Sequence, residues 1–200
     1  MGESVGITIL AVLQMGVGLL SENTSLDYKW QFLEDVFLSN SRRDAFSTRR
    51  GRKVYASKDE KSHQIVEAVL YGALRGLASR YAKLVDGETH IQHIATLANI
   101  VSEKCHASLN ERRLVFGVAQ KALNSYLKYL WCAGRMDKPP HCPFDANIIS
   151  ALELPPGCGT QWTEGTEADY RAWVEAAKTK AELNNESLAD WELRVWNLSA

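Results

Sequence analysis

The sequence lacks the features that identify several large classes of protein. Its four cysteines, Cys105, Cys132, Cys142 and Cys158, form no Cys-x-x-Cys pair, so neither a zinc ribbon nor an iron–sulfur cluster is expected. We expect reduced, partly buried thiols, no bound metal and no cofactor. The net charge is −1, so the chain lacks the overall positive charge typical of a protein that coats nucleic acid.

The chain also lacks a clear membrane or secretion signal. The apolar stretch from Val5 to Leu20 is interrupted by Gln14, Gly16 and Gly18, and it is too short and glycine-rich for a membrane span. It follows Glu3, whereas a secretory signal carries positive charge there. We therefore expect this stretch to be a core segment of a cytoplasmic protein that does not contact a membrane.

What is present is a succession of helical patterns. Apolar residues recur at helical spacing, and no β-alternation of useful length appears. The sequence predicts a single all-α domain over residues 1–200, with roughly seven to nine helices. Its predicted helices include 59–85, a helix capped by Thr89, one from Glu111 to Ala133, and 145–152, 167–183 and 188–196.

Positive charge is concentrated in one segment. Residues 41–53 hold six basic residues against one acid and show no helical stripe, which predicts a basic surface loop over about residues 40–58. Cations near DNA phosphates give salt-dependent affinity, and the alternative is a solvated loop that contacts nothing. The candidate DNA contacts in this segment are Arg42, Arg43, Arg49, Arg50, Arg52 and Lys53.

A lysine and an aspartate stand at the starts of successive predicted helices. Lys121 lies in the first turn of a helix opened by a Gly-Val turn, and Asp145 follows Pro143 at the start of the next. An amine nucleophile and a carboxylate suit base excision from DNA, where the amine attacks a sugar carbon and the carboxylate stabilises developing positive charge. The alternative is a solvated lysine on a polar stripe and an ordinary capping aspartate.

Three short segments, in order along the chain, resemble the helix-hairpin-helix DNA glycosylases and lyases, the superfamily of endonuclease III and the 8-oxoguanine glycosylases. Leu19–Thr24 resembles the end of an early helix that faces DNA. Gly117–Lys121 resembles the hairpin that carries the nucleophilic lysine, with Ala119 where a second glycine is common. Phe144–Ile149 resembles the segment with the catalytic aspartate.

The resemblance implies an enzyme that removes a damaged base, such as an oxidised purine, from double-stranded DNA and nicks the strand by β-elimination. Lys121 is the implied nucleophile and Asp145 its partner. The implied DNA contacts are Gly117, Val118 and Ala119, as a phosphate-facing turn, and Asn23. A flipped base needs a pocket of aromatic and polar groups, for which the candidates are Gln120, Tyr126, Trp131 and Trp30.

Two other functions are compatible with the sequence. One is a non-catalytic helical module of a mobile or defence element that binds DNA or protein and carries Lys121 and Asp145 on its surface. The other is a dimeric scaffold that uses its aromatic helices. The enzyme requires a cleft that holds both groups with Lys121 shielded, whereas the binding module predicts a basic face without such a pocket.

Overall fold

The fold is built from helices. A computed structural model describes residues 27–46 and 53–199 of the chain. These ranges contain seven α-helices and no strand, so the prediction of an all-α fold is confirmed. The helices are α1 (27–46), α2 (Glu60–Ala78), α3 (Gly87–Cys105), α4 (Phe116–Cys132), α5 (Ala146–Ser150), α6 (Glu167–Leu183) and α7 (Leu188–Ser199).

Contacts divide the chain into two units, Met1–Phe37 and Leu38–Ala200. In the first, the described residues are the beginning of α1, where the rings of Trp30 and Phe37 meet edge to face with centroids 6.3 Å apart. The stretch Val5–Leu20 lies outside the described residues. No helix within the described ranges is long and apolar enough to cross a membrane.

Side-chain caps explain where most helices begin. Asp59 accepts a hydrogen bond from the backbone amide at the start of α2, and Asp86 and Asp145 do the same for α3 and α5. Thr166 and Asp169 form a capping box that starts α6. Each cap satisfies amides that a helix start leaves without partners. Asp86 rather than Thr89 therefore caps α3, and Thr89 donates its amide to Asp86 at 2.9 Å.

Helix α4 lies at the centre of the Leu38–Ala200 unit, where it contacts α2, α3 and α6. Every residue from Gly117 to Leu127 is buried, including the polar side chains Gln120, Lys121, Asn124 and Ser125. A helix buried on all sides must find internal partners for its polar groups. The polar stripe of α4 is thus not a solvated surface.

Three predicted boundaries were wrong. The helix predicted over 59–85 ends at Ala78 and is followed by a 3₁₀ turn, Ser79–Ala82. Residues 41–46, predicted to be part of a basic loop, continue helix α1, and Ser41 and Ala45 on this turn are fully buried. Helix α4 begins at Phe116 rather than Glu111, because Glu111 and Arg112 have φ angles of 50° and 61°. That left-handed conformation does not continue into a right-handed helix.

Candidate active site

Lys121 and Asp145 form an ion pair. The Nζ atom of Lys121 lies 2.8 Å from Oδ2 of Asp145, and the two side chains are 9% and 20% exposed. The other carboxylate oxygen, Oδ1, accepts a hydrogen bond from the amide of Ile148 at 3.0 Å. Asp145 therefore performs two tasks at once, capping α5 and holding the lysine ammonium at a defined position.

The surroundings of Asp145 keep it ionised. Burial opposes ionisation, but the charge and hydrogen bond of Lys121, together with backbone amides at the start of α5, outweigh it and lower the pKa of Asp145. A carboxylate at this position is suited to stabilise positive charge on a neighbouring group.

Lys121 lies in the wall of a pocket of about 270 Å³. Helix α4 provides Lys121, Ser125, Lys128 and Tyr129 along one side, since residues three, four and seven apart share a helix face. Leu193 and Trp196 of α7 lie among the remaining lining residues. This volume is just below the ~300–1,000 Å³ typical of small-molecule sites, so it suits one ring system rather than an extended ligand.

A second lysine–carboxylate pair lies in the same pocket. The Nζ atom of Lys128 is 3.0 Å and 2.8 Å from the two carboxylate oxygens of Glu192 on α7. Burial raises the pKa of Glu192, although the charge and hydrogen bonds of Lys128 act in the opposite direction. The same ammonium lies 5.0 Å from the ring centroid of Trp196, within range of a cation–π interaction.

Tyr129 connects the pocket to the last turn of α1. Its hydroxyl donates to Oδ2 of Asp44 at 2.7 Å, and both residues line the pocket. Burial and this hydrogen bond raise the pKa of Tyr129, which therefore stays protonated and acts as a donor. Asp44 is the single acid within the segment predicted to be a basic loop, and the helical extension of α1 brings it here.

Gln120 fixes the chain that leads to Asp145. Its side-chain amide donates to the carbonyl of Phe144 at 2.7 Å and accepts from the amide of Phe144 at 3.2 Å. This two-point contact holds the backbone one residue before Asp145. Gln120 was predicted to line the base pocket, whereas in the structure it lies in the core, beside the pocket wall.

Behind Gln120 a buried hydrogen-bond network connects α3, α4 and α6. Asn124 donates to Gln120 at 3.2 Å and to the Tyr170 hydroxyl at 3.1 Å, and its carbonyl oxygen lies 2.7 Å from Nε2 of His90. His90 must therefore carry its proton on Nε2 and accept from the Tyr81 hydroxyl on Nδ1, at 2.6 Å.

The network extends to two further histidines. Since the Tyr81 hydroxyl donates to His90, its oxygen accepts from Nδ1 of His93, at 3.0 Å. At the other end, the Tyr170 hydroxyl donates to Nδ1 of His141, at 3.0 Å. Burial lowers the pKa of His141 to about 4 and that of His90 well below its ordinary value. The histidines on this network are thus neutral hydrogen-bonding groups of the core.

The predicted phosphate-facing turn is covered by the chain itself. Gly117, Val118 and Ala119 are buried, and the Gly117 amide donates to the carbonyl of Gly165 at 2.9 Å. The backbone of the 3₁₀ turn Trp162–Glu164 approaches so closely that a Cβ on Gly117 would lie 1.8 Å from the Trp162 carbonyl oxygen. Gly117 is thus required for internal packing, and its amide is not available to a phosphate.

The predicted DNA contacts in the basic segment have different surroundings. Arg42 is bound internally, with its guanidinium 3.2 Å from both Glu67 and the Tyr71 hydroxyl. Arg43 lies 4.0 Å from Asp44 with a side chain that is 69% exposed, and Lys53 is also exposed. The remaining predicted contacts lie outside the described residues: Asn23, Arg49, Arg50 and Arg52.

The predicted pocket residues Tyr126 and Trp131 do not line the pocket. Tyr126 lies in the core and is 1% exposed. Trp30 belongs to the Met1–Phe37 unit, whereas the pocket is built from residues of the Leu38–Ala200 unit. Trp131 lies near the surface, where Lys138 stands 5.6 Å from its ring centroid. In their place the pocket contains Tyr129 and Trp196, which no local sequence pattern singled out.

Within the described residues, no group of three or more histidine, cysteine or acidic side chains is arranged to hold a metal ion. All four cysteines are free thiols, of which Cys105 and Cys142 are buried and Cys132 is exposed. Comparisons with models of protein families, with curated proteins and with solved structures found no match.

Proposed function

We propose that this protein is a DNA base-excision enzyme that uses Lys121 as an amine nucleophile and Asp145 as its carboxylate partner. The observation that carries the proposal is the shielded ion pair in a pocket wall: the Lys121 side chain is 9% exposed, held at 2.8 Å by Asp145, and lines a pocket of about 270 Å³. A lysine with no role beyond solubility has no need of either the pocket or the partner.

The chemistry assigned to the pair has three steps. The neutral amine of Lys121 attacks C1′ of the nucleotide as the bond from C1′ to the base breaks, and the departing base takes up a proton released from the attacking nitrogen. The C1′–O4′ bond then breaks as O4′ takes up a proton from solvent, which gives a protonated imine between Nζ and C1′. Solvent water removes a C2′ proton, and the electron pair of that C–H bond expels the 3′ phosphate by β-elimination and nicks the strand. Asp145 stabilises the positive charge that develops on the sugar.

The lysine must lose its proton before it attacks, so the ion pair describes the resting state. A flipped nucleotide that enters the pocket displaces water and brings an acceptor for that proton close to Nζ. The exposed Arg43 and Lys53 are available to contact the DNA backbone, and their contribution is expected to weaken as salt is raised.

Strand nicking under single-turnover conditions tests this function. Duplexes that contain 8-oxoguanine or an abasic site are incubated with the wild type, with Lys121→Gln and with Lys178→Gln. Lys178 lies on the exposed face of α6 and serves as the matched control. We expect Lys121→Gln to lose nicking entirely and Lys178→Gln to retain it. Equal nicking by Lys121→Gln and the wild type would rule out the assigned nucleophile.

The alternative is a helical module that binds DNA or protein without catalysis. It predicts salt-dependent binding of duplex DNA with no nicked product on either substrate, and affinity that does not change with Lys121→Gln. The shielding of Lys121 favours the enzyme, since a binding module gains affinity from exposed rather than buried cations.

A further inference from the structure

Ser125 lies in the wall of the candidate pocket, between the two lysines of α4. It follows Lys121 by four residues and precedes Lys128 by three, so the three side chains share one face of the helix. The rise from Lys121 to Ser125 is one turn, or about 6 Å along the helix axis. Because the pocket has room for one ring system, a sugar or base held at Lys121 lies next to Ser125.

The Ser125 hydroxyl makes no hydrogen bond within the part of the chain that the structure describes. Serine and threonine inside a helix can donate to the carbonyl four residues earlier. Thr96, Ser102 and Thr179 all do so, at 2.7, 2.6 and 3.1 Å. Ser125 does not bond to the Lys121 carbonyl in this way, so both its donor and its acceptor capacity are unused.

This hydroxyl opens onto the pocket although the residue is almost completely buried. Ser125 is 4% exposed. Among the described residues, the side-chain polar atom that is both enclosed and without a hydrogen bond is the Tyr55 hydroxyl. The Ser125 hydroxyl, which has no hydrogen bond either, is therefore not enclosed, and the space that it lines is the pocket.

The charged and phenolic side chains of the pocket are held in pairs: Lys121 with Asp145, Lys128 with Glu192, and Tyr129 with Asp44. A ligand can bind the Ser125 hydroxyl without breaking any of these pairs. Alanine has a higher helix propensity than serine, so a purely structural position inside α4 would favour alanine. The hydroxyl is thus a polar group that the fold itself does not use.

We infer that Ser125 is a substrate-contacting residue, whose hydroxyl hydrogen-bonds the nucleotide held at Lys121. This inference rests on the proposed function. A hydroxyl both donates and accepts, so it can bind an oxygen of the sugar or a polar atom of the base. Either bond fixes the position of C1′ relative to Nζ of Lys121, and a nucleophilic attack depends on that position.

Two serine variants with opposite expected effects test the inference. Ser102 is the matched control, because its hydroxyl donates to the Ala98 carbonyl and accepts from the Leu114 amide. Nicking is measured under single-turnover conditions below saturation, and folding by urea denaturation. We expect Ser125→Ala to keep the wild-type denaturation midpoint and to nick about 3- to 10-fold more slowly, the range for one neutral hydrogen bond. Ser102→Ala should lower the midpoint and keep the wild-type rate per folded molecule.

Two duplexes identify the group that the hydroxyl binds. Slower nicking by Ser125→Ala at an abasic site and at 8-oxoguanine supports a bond to the sugar, whereas slower nicking at 8-oxoguanine alone supports a bond to the base. Wild-type rates on both duplexes overturn the inference. So does a fall in the denaturation midpoint of Ser125→Ala that accounts for its slower nicking. No nicking of either duplex by the wild type contradicts the proposed function itself.

Discussion

Acidification should destabilise this protein through its buried histidines. Burial lowers the pKa of His141 from its ordinary 6.5 to about 4, so the folded state excludes a proton that the unfolded state binds. The free energy of unfolding therefore falls as the pH drops from about 6.5 toward 4. Between about pH 7 and pH 5, this histidine alone accounts for a loss of about 2 kcal/mol. His90 shifts in the same direction and adds to the loss.

Urea denaturation at the two pH values measures the effect. His141→Gln cannot take up a proton at this position, so it should lose about 2 kcal/mol less than the wild type between pH 7 and pH 5. His106 is exposed, and His106→Gln serves as the matched control variant. Equal losses in the wild type and His141→Gln would refute the assignment of His141 as a buried neutral histidine.

Two further predictions concern packing and buried charge. Gly117→Ala should lower the free energy of unfolding by about 3 kcal/mol, because its Cβ would collide with the Trp162 carbonyl. Gly72→Ala, with open space around the new methyl group, should instead raise it by about 0.5–1 kcal/mol, and urea denaturation checks both. Lys128→Met should lower the free energy of unfolding by about 3–5 kcal/mol, because it leaves the buried carboxylate of Glu192 without its partner. Lys138→Met breaks an exposed pair and should lower the free energy of unfolding by about 0–1 kcal/mol. Equal losses for the two lysines would contradict the burial that distinguishes them.

The parts of the fold that local sequence signals control were predicted well. Helix α6 has the predicted bounds, 167–183, because the capping box of Thr166 and Asp169 defines its start. The start of α5 follows from Asp145 in the same way. Helix α1 was harder to predict, because the buried Ser41 and Ala45 become part of a core that other segments complete.

The candidate site was predicted only in part. Lys121 and Asp145 were each predicted to stand at the start of a helix, and this indicated a shared cleft. In the structure Lys121 lies in the second turn of α4, Asp145 caps α5, and their side chains approach to 2.8 Å. The pairing of Lys128 with Glu192 joins residues 64 positions apart, and no local pattern connects them. The burial of the polar residues on α4 likewise depends on segments distant in the sequence, because Asn124 bonds to His90 of α3 and to Tyr170 of α6.

Borohydride trapping tests the central claim most directly, because reduction converts an imine between Nζ of Lys121 and C1′ into a stable covalent bond. Wild-type protein, Lys121→Gln and Lys178→Gln are each incubated with an abasic-site duplex and borohydride, and the adduct is resolved on a denaturing gel. The account predicts an adduct with the wild type and Lys178→Gln, none with Lys121→Gln, and a peptide map that places the link on Lys121. No adduct with the wild type, or an adduct that persists in Lys121→Gln, would contradict it.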